Sequence, residues 1–178
     1  MADNEVLTLG KAEDFFREVR QMMKETDRRM KETDKLIGDL GNRFGEMVEH
    51  LVAPSIKEKF NALNFNFDHI SQNHKITDND RTLAEIDLLL ENGNLAIAVE
   101  VKANPAQKDV DNHVRRMEVL RQKADENNDK HKYQGAIAGA IMSDEVRNYA
   151  HKTGFYVIEQ TGDTVRINIP EGFEARVW

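Results

Sequence analysis

The sequence predicts an α/β domain with a mixed central sheet flanked by helices, preceded by a long N-terminal coiled-coil helix. Three observations predict it. A seven-residue apolar repeat fills the first third of the chain. Two strand-like runs, Thr82–Leu90 and Leu95–Ala103, meet at Asn92-Gly93, a strong hairpin signal. Beyond them helical and strand periods alternate. The 178 residues divide into a helical region over 1–40 and a globular domain over 41–178.

In the first region Phe16, Met23, Met30, Ile37, Phe44 and Leu51 recur every seven residues. Val19, Thr26, Thr33, Leu40 and Met47 each follow three residues later. This is the a/d seam of a coiled coil. The segment Met23-Lys24-Glu25-Thr26-Asp27-Arg28 is nearly copied as Met30-Lys31-Glu32-Thr33-Asp34-Lys35. Thr26 and Thr33 are poor seam residues, and Gly38, Gly41 and Gly45 weaken a helix. In a parallel pair Arg29 would face Asp34 of the second copy. The expectation is a homodimer or higher oligomer that loosens near Gly38–Gly45. The competing reading is one long helix folded back on its own domain.

Residues 42–60 continue helically, with Phe44, Val48, Leu51, Val52, Ile56 and Phe60 on one face and a kink or break expected at Pro54. Asn64–Ile70 alternates like a half-buried strand, and Ser71–Arg81 is polar with a turn at Asp78-Asn79-Asp80. After the hairpin, Asn104-Pro105 reads as a helix cap and first turn. Val110, Val114, Met117, Leu120 and Ala124 form that helix's buried stripe. Glu126–Lys132 is a charged loop and Gln134–Met142 a small-residue strand. Ser143–Lys152 is a helix capped by Ser143 and ended at Gly154. Phe155–Glu159 and Thr164–Ile169 are strands about Thr161-Gly162-Asp163. The element order is αβββαβαββ.

Alternation places Leu95, Ile97, Val99 and Val101 on one face of their strand and Ala96, Ala98, Glu100 and Lys102 on the other. The second face runs small, small, acid, base, which leaves room beside the carboxylate. With Asn92-Gly93 as a two-residue loop, Glu91 pairs with Asn94, Leu89 with Ala96, Asp87 with Ala98 and Glu85 with Glu100. Asp87 then shares a face with Glu100 and Lys102, diagonal to Glu100, a spacing that a divalent ion bridges. Bare carboxylates so close repel, and a cation relieves that repulsion. The competing reading is a surface ion cluster on a half-exposed sheet. Against it stand the apolar flanks Ile86, Leu88, Val99 and Val101.

The run Glu85-Ile86-Asp87, an Asn-Gly turn, then Ala98-Val99-Glu100-Val101-Lys102 resembles the PD-(D/E)XK nuclease superfamily. That signature is an Asp on one strand and Glu-X-Lys on the next. Ile86 stands where the named motif has Pro. The resemblance covers roughly residues 41–157 and implies a restriction-endonuclease-like αβββαβ core. It implies a Mg²⁺-dependent deoxyribonuclease, with Mn²⁺ as a possible substitute. Asp87, Glu100 and the Val101 carbonyl would bind the metal. Lys102 would orient water, stabilise the transition state or act as base. A further acid on the first helix is implied, matched by Glu49 with Glu46 as alternative. A solvated helix acid is an equally good reading of Glu49.

Lys75, Arg81, Lys108, Arg115, Arg116, Arg121 and Lys123 offer phosphate contacts or ordinary solvated charge. Gln107 is a further candidate for the site or a phosphate. The net charge of −7 gives no global attraction to nucleic acid. With no cysteine, thiol chemistry and zinc–thiolate sites are excluded. The six histidines lack metal-ligand spacing, and no phosphate-binding loop or Ser/His/Asp arrangement is present. Apolar runs are too short to span a membrane, and the N-terminal residues lack signal-peptide character, so a cytoplasmic protein is expected. The alternative to a nuclease is a catalytically inactive protein of the same fold acting as a coiled-coil adaptor.

Overall fold

The computed structural model describes residues 9–178 except Asp163, with side chains described over 14–36, 53–162 and 164–178. The chain forms two units, Met1–Arg43 and Phe44–Trp178. Helix α1 (Leu9–Ala62) runs uninterrupted through Gly38, Gly41, Gly45 and Pro54. Of the kink or break expected at Pro54, the break does not occur. Proline removes one helical hydrogen bond, but Ala53, Ile56 and Phe60 on either side are buried and hold the turn against the sheet. In the first unit α1 exposes Phe16, Met23 and Met30, at 61%, 63% and 59%. The Thr26 and Thr33 hydroxyls donate to the carbonyls of Met22 and Arg29, each at 2.9 Å, so both threonines bond back to their own helix.

The second unit is a six-stranded mixed sheet in the order β1 (His69–Asp78), β2 (Arg81–Glu91), β3 (Leu95–Lys102), β4 (Lys132–Gly139), β5 (Tyr156–Thr161) and β6 (Thr164–Asn168). The pairs β1–β2, β2–β3 and β5–β6 are antiparallel. The pairs β3–β4 and β4–β5 are parallel, joined by α2 (Gln107–Glu126) and α3 (Asp144–Thr153). One face packs on Ala53, Ile56 and Phe60 of α1, the other on Val110 and Met117 of α2 and Val146 and Ala150 of α3. The order αβββαβαββ and helices on both faces are as the periodicity predicts. Among the described residues no helix is long and apolar enough to cross a membrane.

Three boundaries differ from the sequence reading. The first strand is not Asn64–Ile70, because Asn64 and Asn66 adopt φ of 67° and 57°, incompatible with a strand. There the alternating aromatics Phe65 and Phe67 cluster edge-on around Phe60. The polar stretch after them is β1 itself, an exposed edge strand, closed by a hairpin at Asn79-Asp80 with φ of 44° and 65°. Helix α2 is capped by Ala106, not Asn104, and Asp109 folds back to accept the Ala106 N–H at 2.8 Å.

The third difference sets the register beneath the site. The Asn92 side chain accepts from the N–H groups of Asn94 and Leu95 at 3.0 and 2.9 Å, and the Asn92 N–H donates to Leu95 O at 3.0 Å. The two-residue turn is therefore Gly93-Asn94, with Asn92 as its entry residue. Glu91 pairs with Ala96 and Leu89 with Ala98, not with Asn94 and Ala96 as expected. Glu85 pairs with Lys75 of β1, not with Glu100. A shift of two residues preserves the parity of the paired segment Leu88–Glu91, which puts Asp87 next to it on the side of Glu100 and Lys102.

Candidate active site

Pairing between β2 and β3 ends at Leu88–Val99, one step before Asp87 and Glu100 would face each other. On the other side of β2, the ladder to β1 skips Asn73–Asp87, where Asn73 has φ of 50°. Ala84 and Ile86 pack in the same core as Leu89, which unbroken alternation would forbid. The strand thus changes facing at Asp87. Such irregularities re-aim a side chain and end pairing. Asp87 uses that freedom to cross to β3, where its Oδ2 accepts the Val101 N–H at 2.7 Å. The N–H and C=O of one strand residue point to the same side, so the Val101 carbonyl also faces the edge that Asp87 approaches.

Glu100 is 1% exposed, the only acid the fold buries this deeply among the described residues. A buried carboxylate must be paired. Lys102 Nζ lies 2.9 Å from its Oε1, and Arg116 of α2 donates to Oε2. Asp87 is pushed above the usual carboxylate value by burial and by the charge of Glu100; the Val101 N–H, Lys102 and Arg116 only partly offset this. For Lys102 burial works against the ammonium. The charge and hydrogen bond of Glu100, with Asp87, outweigh it, and the lysine pKa is raised. The ammonium form of Lys102 is thus favoured beside Glu100.

Ala96 and Ala98 are small for a different reason than the one expected. They leave room for α2, whose Val110 and Met117 share their core. His113 lies fully buried in that layer, its Nε2 3.0 Å from Ala98 O, so Nε2 carries the proton. Burial lowers its pKa to about 4 despite that bond, and the ring is neutral. Arg116 stands one turn further along α2.

The structure thus brings Asp87, Glu100, Lys102 and the Val101 backbone together and adds Arg116 and His113, which the sequence reading did not place there. Arg116 was counted only among possible phosphate contacts. Its signal was its spacing, three after buried His113 and four before Leu120. Gln107 instead bonds Glu145 at 2.8 Å. Arg121 donates to the carbonyls of His131 and Asp129, and Lys123 pairs with Asp78 and Glu126. The Glu46 and Glu49 side chains lie outside the described residues.

Among the described residues no three His, Cys, Asp or Glu side chains converge. The donors that fit a hard divalent ion are two carboxylates and one carbonyl, from Asp87, Glu100 and Val101, all oxygen. Both protein cations pair with Glu100, while Asp87 is held by the Val101 N–H. Comparison of the chain with family models, with curated proteins and with solved structures finds no match.

Proposed function

We propose that the chain is a cytoplasmic Mg²⁺-dependent deoxyribonuclease of the PD-(D/E)XK superfamily with a restriction-endonuclease-like core. One observation carries the reading: where β2 parts from β3, Asp87, Glu100 and Lys102 meet around the freed backbone of Val101. In this reading Asp87, Glu100 and the Val101 carbonyl hold the metal. A bound Mg²⁺ supplies an acidified water and neutralises charge on the phosphate. Lys102, kept as an ammonium, orients the nucleophile and faces the charge that develops on the phosphate oxygens. Asp87 and the Val101 N–H fix each other, so the ligand set stands on paired backbone. The exposed seam of α1 joins two copies and presents two sites to one duplex.

Cleavage of plasmid DNA in Mg²⁺, with and without EDTA, tests the reading on Asp87→Ala and Lys102→Ala. Each substitution is expected to lower the rate by about a hundredfold or more; activity that survives either one would sink the assignment. A second reading, a non-catalytic adaptor, draws on the observation that both Glu100 oxygens already carry protein cations. An adaptor would take up neither Mg²⁺ nor Mn²⁺ in a way that depends on Asp87 and Glu100.

A further inference from the structure

We propose that Arg116 is a built-in counter-ion that competes with a divalent cation for Glu100 and must release it for the cation to enter. The inference rests on the metal-site reading above and adds a gate to it.

Glu100 has two oxygens and almost no solvent. Lys102 takes Oε1 and Arg116 takes Oε2, so a cation that binds this buried carboxylate competes with one of them for its oxygen and for the little space around it. The two are not equally free to leave. Asp87 draws both cations, but Lys102 sits two residues away on the same strand face and is tethered beside Glu100 by its own backbone. Arg116 reaches in from α2, a separate element, with its side chain 31% exposed against 41% for Lys102, and Glu100 is its one partner among the described residues. Its long stem can carry the guanidinium out to water once another cation takes its place on Glu100. His113, one turn earlier on the same helix, is neutral and does not hold it. Exchange of Arg116 for a divalent ion leaves Glu100 paired throughout, which a buried carboxylate requires. It also removes a positive charge that would repel the incoming ion.

Calorimetric titration of the full chain with Mn²⁺ at pH 7.5 tests this on wild type, Arg116→Gln and Arg116→Lys, with Asp87→Ala as the control for the site. Arg116→Gln is expected to bind Mn²⁺ about tenfold tighter, the worth of one charge-assisted hydrogen bond lost by the competitor. Arg116→Lys keeps the charge and stays near wild type. Binding only in Arg116→Gln would support the gate equally. If wild type binds and Arg116→Gln binds equally or more weakly, the gate is wrong and the metal site stands. If no variant binds at the Asp87 site, both readings fall. A measurement on isotopically labelled wild type needs no substitution. Mg²⁺ should move the Arg116 guanidinium signals to those of a solvent-exposed arginine. Unchanged signals at a concentration that saturates the Asp87 amide shift would overturn the proposal.

Discussion

Glu100 shows how one residue's environment can set the behaviour of its neighbours. Lys102 and Arg116 can reach water when released, whereas Glu100 cannot. Removal of a cation therefore strands a buried charge, while neutralisation of the acid strands none. In EDTA, Arg116→Met is expected to cost about 2 kcal/mol, a discounted figure because Arg116 is part exposed and Lys102 remains. Glu100→Gln should cost less. Urea unfolding of the two variants checks the order, and a larger loss for Glu100→Gln would contradict it. The common face of Glu100 and Lys102 was legible from strand alternation alone, whereas that of Asp87 needed the parity of the hairpin. The grip of Arg116 was not, because nothing local ties it to a residue sixteen positions earlier.

At the scale of elements, α1 carries the clearest periodic signal and the most exposed apolar side chains. Thr26 and Thr33 occupy seam positions and spend their hydroxyls on their own helix. Leucine at both positions would extend the apolar seam and remove two back-bonded hydroxyls. The double substitution Thr26→Leu/Thr33→Leu is expected to tighten self-association by at least tenfold in sedimentation analysis. A chain that stays monomeric with and without it would exclude the coiled-coil dimer. The hairpin was legible as an element but not in its register. The Asn92 amide donates to Phe65 O at 2.7 Å, and the Asn92 carbonyl meets His131 Nε2 at 2.9 Å. Those partners lie far along the chain and draw Asn92 out of the centre of the turn.

Over the whole molecule, two histidines bend the pH profile in opposite directions. His131 meets the Asp129 carboxylate through Nδ1 at 2.6 Å and the Asn92 carbonyl through Nε2. Both bonds exist together only in the imidazolium, and Asp129 raises its pKa. Its stabilisation is complete below the usual value of about 6.5 and fades as pH rises through the raised folded value. His113 is lowered to about 4. The unfolded chain therefore binds a proton that the folded chain refuses, and stability falls as pH drops from about 6.5 toward 4. Burial opposes the Asp129 charge, but the His131 N–H, the Tyr133 hydroxyl and the His131 ring bring its pKa down to about 2, so its own contribution survives mild acid. Urea midpoints from pH 4 to 9 should show His131→Gln costing less as pH rises. His113→Gln should flatten the acid limb. A parallel displacement of either curve at all pH values would refute the assignment of that limb.

The sequence by itself determined the order of elements, the two faces of β3 and the common face of Glu100 and Lys102. These follow from the two-residue period of a strand and the 3.6-residue period of a helix, which are properties of local backbone geometry. The tertiary structure alone decided the register of β2 against β3, the burial of His113 over Ala98 and the two cations on Glu100. Each depends on groups brought together by helices lying across strands, and no periodicity encodes which long side chain will reach a buried charge.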